Sequence, residues 1–176
     1  MQSIPKATLH ERILASVNNE IVEHSSLDKV PFTVHLTNLG NLAFYAFTLT
    51  SPPGGRPTGE YKIQLIVPEQ QRGKRGHLYL ADGAFTILAG WSRDENVFSL
   101  WDAYAHESFA YSQNLQVKGN CVWLAQTNGI STCERRLRRG RGVETVVVCR
   151  ADRFIEGIRA RIHFSAHRLS PESNLL

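Results

Sequence analysis

Apolar residues near the N-terminus recur every three or four positions, which is the spacing of one helical face. This face comprises Leu9, Ile13, Leu14, Val17 and Ile21. Pro5 suits the first turn of a helix, where its missing N–H costs nothing. The pattern therefore predicts a helix over residues 5–21. A second such face predicts a closing helix over residues 152–162, followed by a frayed tail from residue 165.

The middle of the chain consists of short apolar and β-branched runs that are typical of strands. The predicted strands span residues 30–37, 42–49, 60–67, 77–81, 85–91, 97–101, 109–117 and 143–149. Asp82-Gly83 predicts a hairpin turn between two of them. Two further helices are predicted over residues 120–126 and 131–139, the second because Ser131 and Glu134 have capping-box spacing. The sequence thus predicts one mostly β domain with flanking helices over residues 1–176, with its core at about 9–162.

Composition narrows the class of protein further. Apolar residues make up 42% of the chain, enough for a packed core, and no apolar run is long enough to predict a membrane span. The N-terminal residues lack the pattern of a secretory signal. Three widely spaced cysteines are most simply reduced and buried. We therefore expect a cytoplasmic protein without membrane association, bound metal or cofactor.

The basic residues are unusually rich in arginine. The net charge is +4, and fifteen arginines stand against five lysines. Arginine presents a planar fork of donors that matches phosphate and the guanine edge, so this bias favours nucleic acid as a partner. A GC-rich genome, which favours arginine codons, is the alternative explanation.

Known catalytic motifs are few. The sequence contains no phosphate-binding loop motif and no zincin helix. Glu60-Tyr61-Lys62 has the acid–x–Lys form that metal-dependent nucleases use, but no acidic residue lies between Asp28 and Glu60. We expect a non-enzymatic module, and an endonuclease that uses Glu60 and Lys62 stays an alternative.

Two segments have the composition of a DNA contact. Residues 51–59 form a loop stiffened by proline and glycine, which can project without losing its shape. Its candidate contacts, continued into the next strand, are Ser51, Gly54, Gly55, Arg56, Thr58, Glu60, Tyr61, Lys62 and Gln64. An ordinary rigid turn is the alternative.

The second segment is dense in amide, hydroxyl and carboxyl groups, which can hydrogen-bond to base edges. Its candidate contacts are Trp101, Asp102, His106, Tyr111, Ser112, Gln113, Asn114 and Gln116. The alternative is a polar loop whose aromatic residues are anchored in the core.

Two basic runs complete the candidates. Arg72, Lys74 and Arg75 lie in a glycine-spaced loop suited to phosphate. The arginine-rich run over residues 135–141 ends a predicted helix, so stabilisation by the helix dipole is a structural alternative there.

Four motifs resemble the B3-like DNA-recognition domains of restriction endonucleases of the BfiI, NgoAVII and EcoRII type. They are TSPPGGRP at residues 50–57, EYKIQLIVP at residues 60–68, FxxWDA at residues 98–103 and FAYSxNLQV at residues 109–117. The resemblance runs from about residue 9 to 162. It implies a seven-stranded open β-pseudobarrel with flanking helices.

The resemblance also implies a function. Two arms, at residues 51–62 and about 101–116, would face each other across a groove-sized gap and grip the major groove of double-stranded DNA at a short specific site. Cutting would belong to a separate nuclease domain that this chain does not contain. A protein-interaction barrel whose arginines meet an acidic partner is a further alternative.

Overall fold

The computed structural model describes residues 3–51 and 59–170. The helices are α1 (Lys6–Val17), α2 (Gly119–Asn128) and α3 (Phe154–Leu169). The strands are β1 (Ile21–His24), β2 (Phe32–Leu36), β3 (Gly40–Thr48), β4 (Glu60–Leu65), β5 (Gly76–His77), β6 (Phe85–Ser92), β7 (Val97–Asp102), β8 (Ser108–Phe109), β9 (Gln113–Lys118), β10 (Ile130–Arg136) and β11 (Val143–Arg150). The expectation of a mostly β fold with flanking helices is confirmed.

Seven strands form one mixed sheet in the order β1-β2-β3-β6-β7-β11-β10. The β3–β6 pair is parallel, and the other pairs of this sheet are antiparallel. Within the described residues β1 and β10 stand at opposite edges, so the sheet is not closed. Two further pairs, β4–β9 and β5–β8, lie outside it.

The sheet is covered on both faces. Alternate residues of β3 point to opposite sides, so Phe44 belongs to the core beneath α1 and α3, whereas Tyr45 belongs to the core beneath β4, β9 and α2. This double burial explains why residues 42–47 read as a continuous apolar run. No helix in the described ranges is long and apolar enough to cross a bilayer.

Two predicted helices have different limits. The first ends at Val17, and Ile21, which was assigned to its apolar face, begins β1 and pairs with Leu36. Helix α3 continues to Leu169, so the fraying predicted from residue 165 is wrong up to that point; Ser165 is buried and accepts a hydrogen bond from Arg161. The end of the predicted tail, residues 171–176, lies outside the described residues.

The helix predicted over residues 131–139 is wrong, because residues 131–136 belong to β10, which pairs with β11 along its whole length. The hydroxyl of Ser131, expected to cap a helix, instead donates to the carbonyl of Cys121 at 2.5 Å. A capping-box spacing is a local signal, and the long-range pairing of two strands overrides it.

The hairpin predicted at Asp82-Gly83 is also wrong. A turn is present, with Gly83 at φ 72°. The strand before it is only Gly76–His77, which pairs with β8, whereas β6 after the turn pairs in parallel with β3. The single strand predicted over residues 109–117 is interrupted by a turn, where Ser112 has φ 60°.

Candidate nucleic-acid interface

The strands β4 and β9 form a two-stranded antiparallel ribbon, here called the recognition ribbon. Its inner side chains are buried in the core and include Tyr61, Ile63, Leu65, Leu115 and Val117. Because side chains alternate along a strand, the intervening residues lie on the opposite face. The cross-strand pairs on that outer face are Glu60 with Lys118, Lys62 with Gln116, and Gln64 with Asn114.

Backbone contacts tie the ribbon to the rest of the domain. Thr50 and Lys62 exchange two backbone hydrogen bonds of 2.9 Å, and the indole N–H of Trp101 donates to the carbonyl of Gln116 at 3.4 Å. The backbone N–H of Gly119 donates to the carbonyl of Gly59, and a Cβ at position 119 would overlap that carbonyl. These hydrogen bonds fix the position of the ribbon, and therefore of its outer face, relative to the rest of the domain.

Parts of the two expected arms, residues 60–62 and 113–116, lie on neighbouring strands. Lys62 and Gln116 are directly paired in the ribbon, so the expected gap between the arms is wrong at these residues. Ser51 is exposed at the start of the loop. The tip of the expected first arm, with Gly54, Gly55, Arg56 and Thr58, lies outside the described residues.

Three residues expected in the second arm are buried instead. Trp101 is 0% exposed, Asp102 1% and His106 2%. A carboxylate oxygen of Asp102 accepts from Nε of Arg168 at 2.5 Å, and the other oxygen accepts from the backbone N–H of Tyr104. In this conformation these three side chains hold the domain together and do not face a ligand, which corrects the expected contacts.

His106 belongs to a buried ionic chain. Oε1 of Glu144, a side chain with no exposed surface, lies 2.9 Å from Nε2 of His106 and 2.7 Å from Nη1 of Arg135. Burial alone would raise the pKa of Glu144, but the hydrogen bond and charge of His106, with Arg135, lower it overall. Glu144 therefore stays ionised inside the core.

Tyr61 is a further correction, because only 7% of it is exposed. Its hydroxyl donates to Glu95 at 2.7 Å, and burial together with this bond raises the pKa of Tyr61 to about 12. The ring packs inside the ribbon, so it cannot reach a base from this position.

The turn before β9 carries the remaining predicted residues of the second arm. Tyr111, Ser112, Gln113 and Asn114 are half-buried, and Gln116 is exposed. The Oδ1 atom of Asn114 is shielded from solvent and has no hydrogen-bond partner among the described residues. As oriented, Asn114 cannot offer both amide atoms to one base edge, whereas Gln64 and Gln116 are exposed.

The first basic loop is exposed, as a phosphate contact requires. Arg72, Lys74 and Arg75 all lie at the surface. Arg75 is also anchored, because its guanidinium donates to the hydroxyl of Ser108 at 2.8 Å and to the carbonyl of Ser108 at 2.9 Å. This contact fixes the end of the loop against β8.

The structure brings arginines of the run over residues 135–141 to both ends of β9. Arg138 and Arg141 join Arg75 and Gln113 around a cleft of about 480 Å³ at the start of β9. At the other end of β9, a cleft of about 520 Å³ is lined by Glu60, Gln116, Lys118, Arg135 and Arg136. The arginine-rich run was the available signal, but its predicted helix placed it wrongly.

Glu60 and Lys62 share the outer face of β4, and the carboxylate of Glu60 accepts from the amide of Gln116 at 3.4 Å. Across residues 3–51 and 59–170, no group of three or more His, Cys, Asp or Glu side chains is arranged to hold a metal ion.

Comparison with known proteins identifies a family. The profile of the methylase-associated X1 family matches residues 40–158, more than half of the 176-residue chain. The chain therefore belongs to the methylase-associated X1 family, a membership that ties it to restriction–modification systems. The match includes the recognition ribbon and both clefts at the ends of β9. Neither the curated proteins nor the solved structures contain a match.

Proposed function

We propose that this chain recognises a short specific sequence in double-stranded DNA for a restriction–modification system, with the recognition ribbon placed in the major groove. The observation that carries the proposal is the polar outer face of the ribbon, with basic residues in a cleft at each end of β9. A major groove about 12 Å wide admits a two-stranded ribbon.

The outer face offers the groups that base edges require. Gln64 and Gln116 can each pair with adenine, and Lys62 can donate to the acceptors of guanine. Glu60 can accept from the amino group of cytosine. These contacts would discriminate between bases, whereas the surrounding arginines would supply affinity for phosphate.

The B3-like resemblance supports the same placement, since residues 60–62 and 113–116 of its two arms lie in the ribbon. In this proposal the chain reads cytoplasmic DNA and does not cut it. A tethered or associated nuclease, or the methylase that the family name mentions, supplies the chemistry. No cofactor is required for such a role.

Selection of bound duplexes from a random pool tests the proposal. We expect enrichment of one short sequence, and we expect Gln116→Ala to weaken binding to that sequence by about 1–3 kcal/mol. The same substitution should weaken binding to a scrambled duplex much less. Gln126→Ala, which removes an exposed amide on α2, is the matched control and should leave both affinities unchanged.

Three results would redirect the proposal. An equal loss of affinity for both duplexes would mean that Gln116 contacts the sugar–phosphate backbone of DNA rather than a base. Failure to bind any duplex at low salt would favour an acidic protein partner for the arginines. Cleavage of plasmid in magnesium, lost in Lys62→Ala, would assign catalysis to Glu60 and Lys62.

A further inference from the structure

Two cysteines that are twelve positions apart in the sequence meet in the fold. Cys121 lies in the first turn of α2, and Cys133 lies in β10, the strand that packs against this helix. Cys133 packs against the apolar cluster that contains Cys121. The sulfur of Cys121 lies 3.1 Å from the hydroxyl of Ser131, which is two residues before Cys133 and on the same face of β10. Neither cysteine is in a disulfide.

The two thiols have unequal surroundings. Cys121 is only 2% exposed, whereas Cys133 is half-buried and lines the 520 Å³ cleft at the end of β9. A small reagent in this cleft can therefore reach Cys133 but not Cys121. Cys149, fully buried in the other core, is shielded from both sides.

The groups around Cys133 favour its thiolate. The pKa of Cys133 is lowered to about 7, chiefly because the Cys121 thiol donates to the Cys133 sulfur. Burial acts against this and raises the pKa. The backbone N–H and the charge of Lys118 lower it further. Glu144 on β11 acts in the opposite direction. The other charged groups that line the same cleft are Glu60, Glu134, Arg135 and Arg136. The hydrogen bond to Cys133 is the main cause that raises the pKa of Cys121, and burial is the second. Burial also raises the pKa of Cys149.

We propose that Cys133 is a site of modification by small disulfides, with Cys121 as the thiol that resolves the adduct. The Cys133 thiolate attacks one sulfur of the reagent, forms a mixed disulfide and expels one thiolate. The sulfur of Cys121 then loses its proton to solvent and attacks Cys133, which expels the second thiolate. The chain loses two electrons and closes a Cys121–Cys133 bond, and the reagent is reduced to two thiols.

The neighbouring sulfurs make this second step a local one. Both cysteines lie where α2 packs against β10, so the resolving thiol comes from the immediate surroundings of the adduct. The inference concerns the chemistry of the free chain and does not depend on DNA binding.

Alkylation of the full chain by iodoacetamide, followed by peptide mapping, tests the first part. We expect Cys133 to react first, with a rate whose midpoint lies near pH 7, and Cys149 to stay unmodified. An ordinary cysteine would show a rate that still rises through about pH 8.5. Cys121→Ala should move the midpoint of Cys133 upward, since it removes the donor to the thiolate. A midpoint near 8.5 in the unaltered chain, or earlier reaction at Cys121, would overturn the proposal.

Glutathione disulfide tests the second part. The unaltered chain should lose two hydrogens in mass and link Cys121 to Cys133, whereas Cys121→Ser should stop at a glutathione adduct on Cys133. Cys133→Ser should give neither product, with protected Cys149 as the internal measure of an intact core. A stable adduct on the unaltered chain, or equal reaction of Cys133→Ser, would refute the roles assigned to the pair.

Discussion

The recognition ribbon and the segment over residues 101–106 share the same kinds of polar side chain but use them differently. On the ribbon, Lys62 and Gln116 lie on the outer face, above an apolar inner face. In the other segment, Asp102 and His106 are buried and paired with Arg168 and Glu144. The comparison teaches that polar composition marks a place where hydrogen bonds are needed, and that burial decides whether the partner is the protein or a ligand.

The largest expected effect is on the buried ionic chain. Glu144→Ala leaves His106 and Arg135 without their shared acceptor, and we expect it to lower the free energy of unfolding by about 3–5 kcal/mol. Urea denaturation measures this change. Glu134→Ala, the same substitution on exposed β10, should stay within about 0.5 kcal/mol. Similar small values for both would mean that the ionic chain does not stabilise the fold.

A smaller loss is expected at Asp102, whose partner Arg168 is partly exposed. Asp102→Ala should lower the free energy of unfolding by about 1.5–3 kcal/mol, the range for hydrogen bonds to charged groups. The control is Asp152→Ala, which breaks a surface pair with Arg150 and should cost about 0–1 kcal/mol. Thermal or urea unfolding that ranks the two variants the other way would contradict the comparison.

The exposed basic loop should affect salt dependence rather than stability. If Lys74 contacts a phosphate, Lys74→Ala reduces the slope of log K against log salt by about 0.9, because one fewer counterion is released. Arg159→Ala on α3 is the matched surface control and should leave the slope unchanged. Titrations at several salt concentrations decide this, and an unaltered slope for Lys74→Ala would remove the loop from the interface.

A further effect, on the pH dependence of stability, is expected at Lys6, which lies beside the ribbon and has a buried ammonium group. Its ammonium group donates to the carbonyl of Ala46 beside the cleft that includes Lys62 and Gln64, and burial lowers its pKa to about 8. The unfolded chain holds this proton up to about pH 10.5. Between these values the unfolded state binds more protons, so stability should rise with pH. Lys6→Met should lack this rise in urea unfolding at pH 8 and 10, and an identical rise in both proteins would refute it.

Local patterns predicted much of the fold. The apolar run of β3 and the periodic face of α3 were found because each reflects a short repeat along the chain. The same reasoning placed β10 in a helix, since the pairing of Ile130–Arg136 with β11 leaves no mark in its own spacing. Prediction of the site shows the same division. Glu60, Lys62, Gln64 and Gln116 were predicted as DNA contacts from their composition, but the sequence did not show that they share one face of a ribbon.

The sequence by itself determined which segments can form strands and helices and where polar and basic side chains are concentrated, because these properties depend on neighbouring residues. Only the tertiary structure decided that β4 lies beside β9, that Asp102 and His106 face inward, and that Cys121 meets Cys133. Such contacts join residues far apart in the chain. They are selected by how the layers pack as a whole, and no local pattern encodes them.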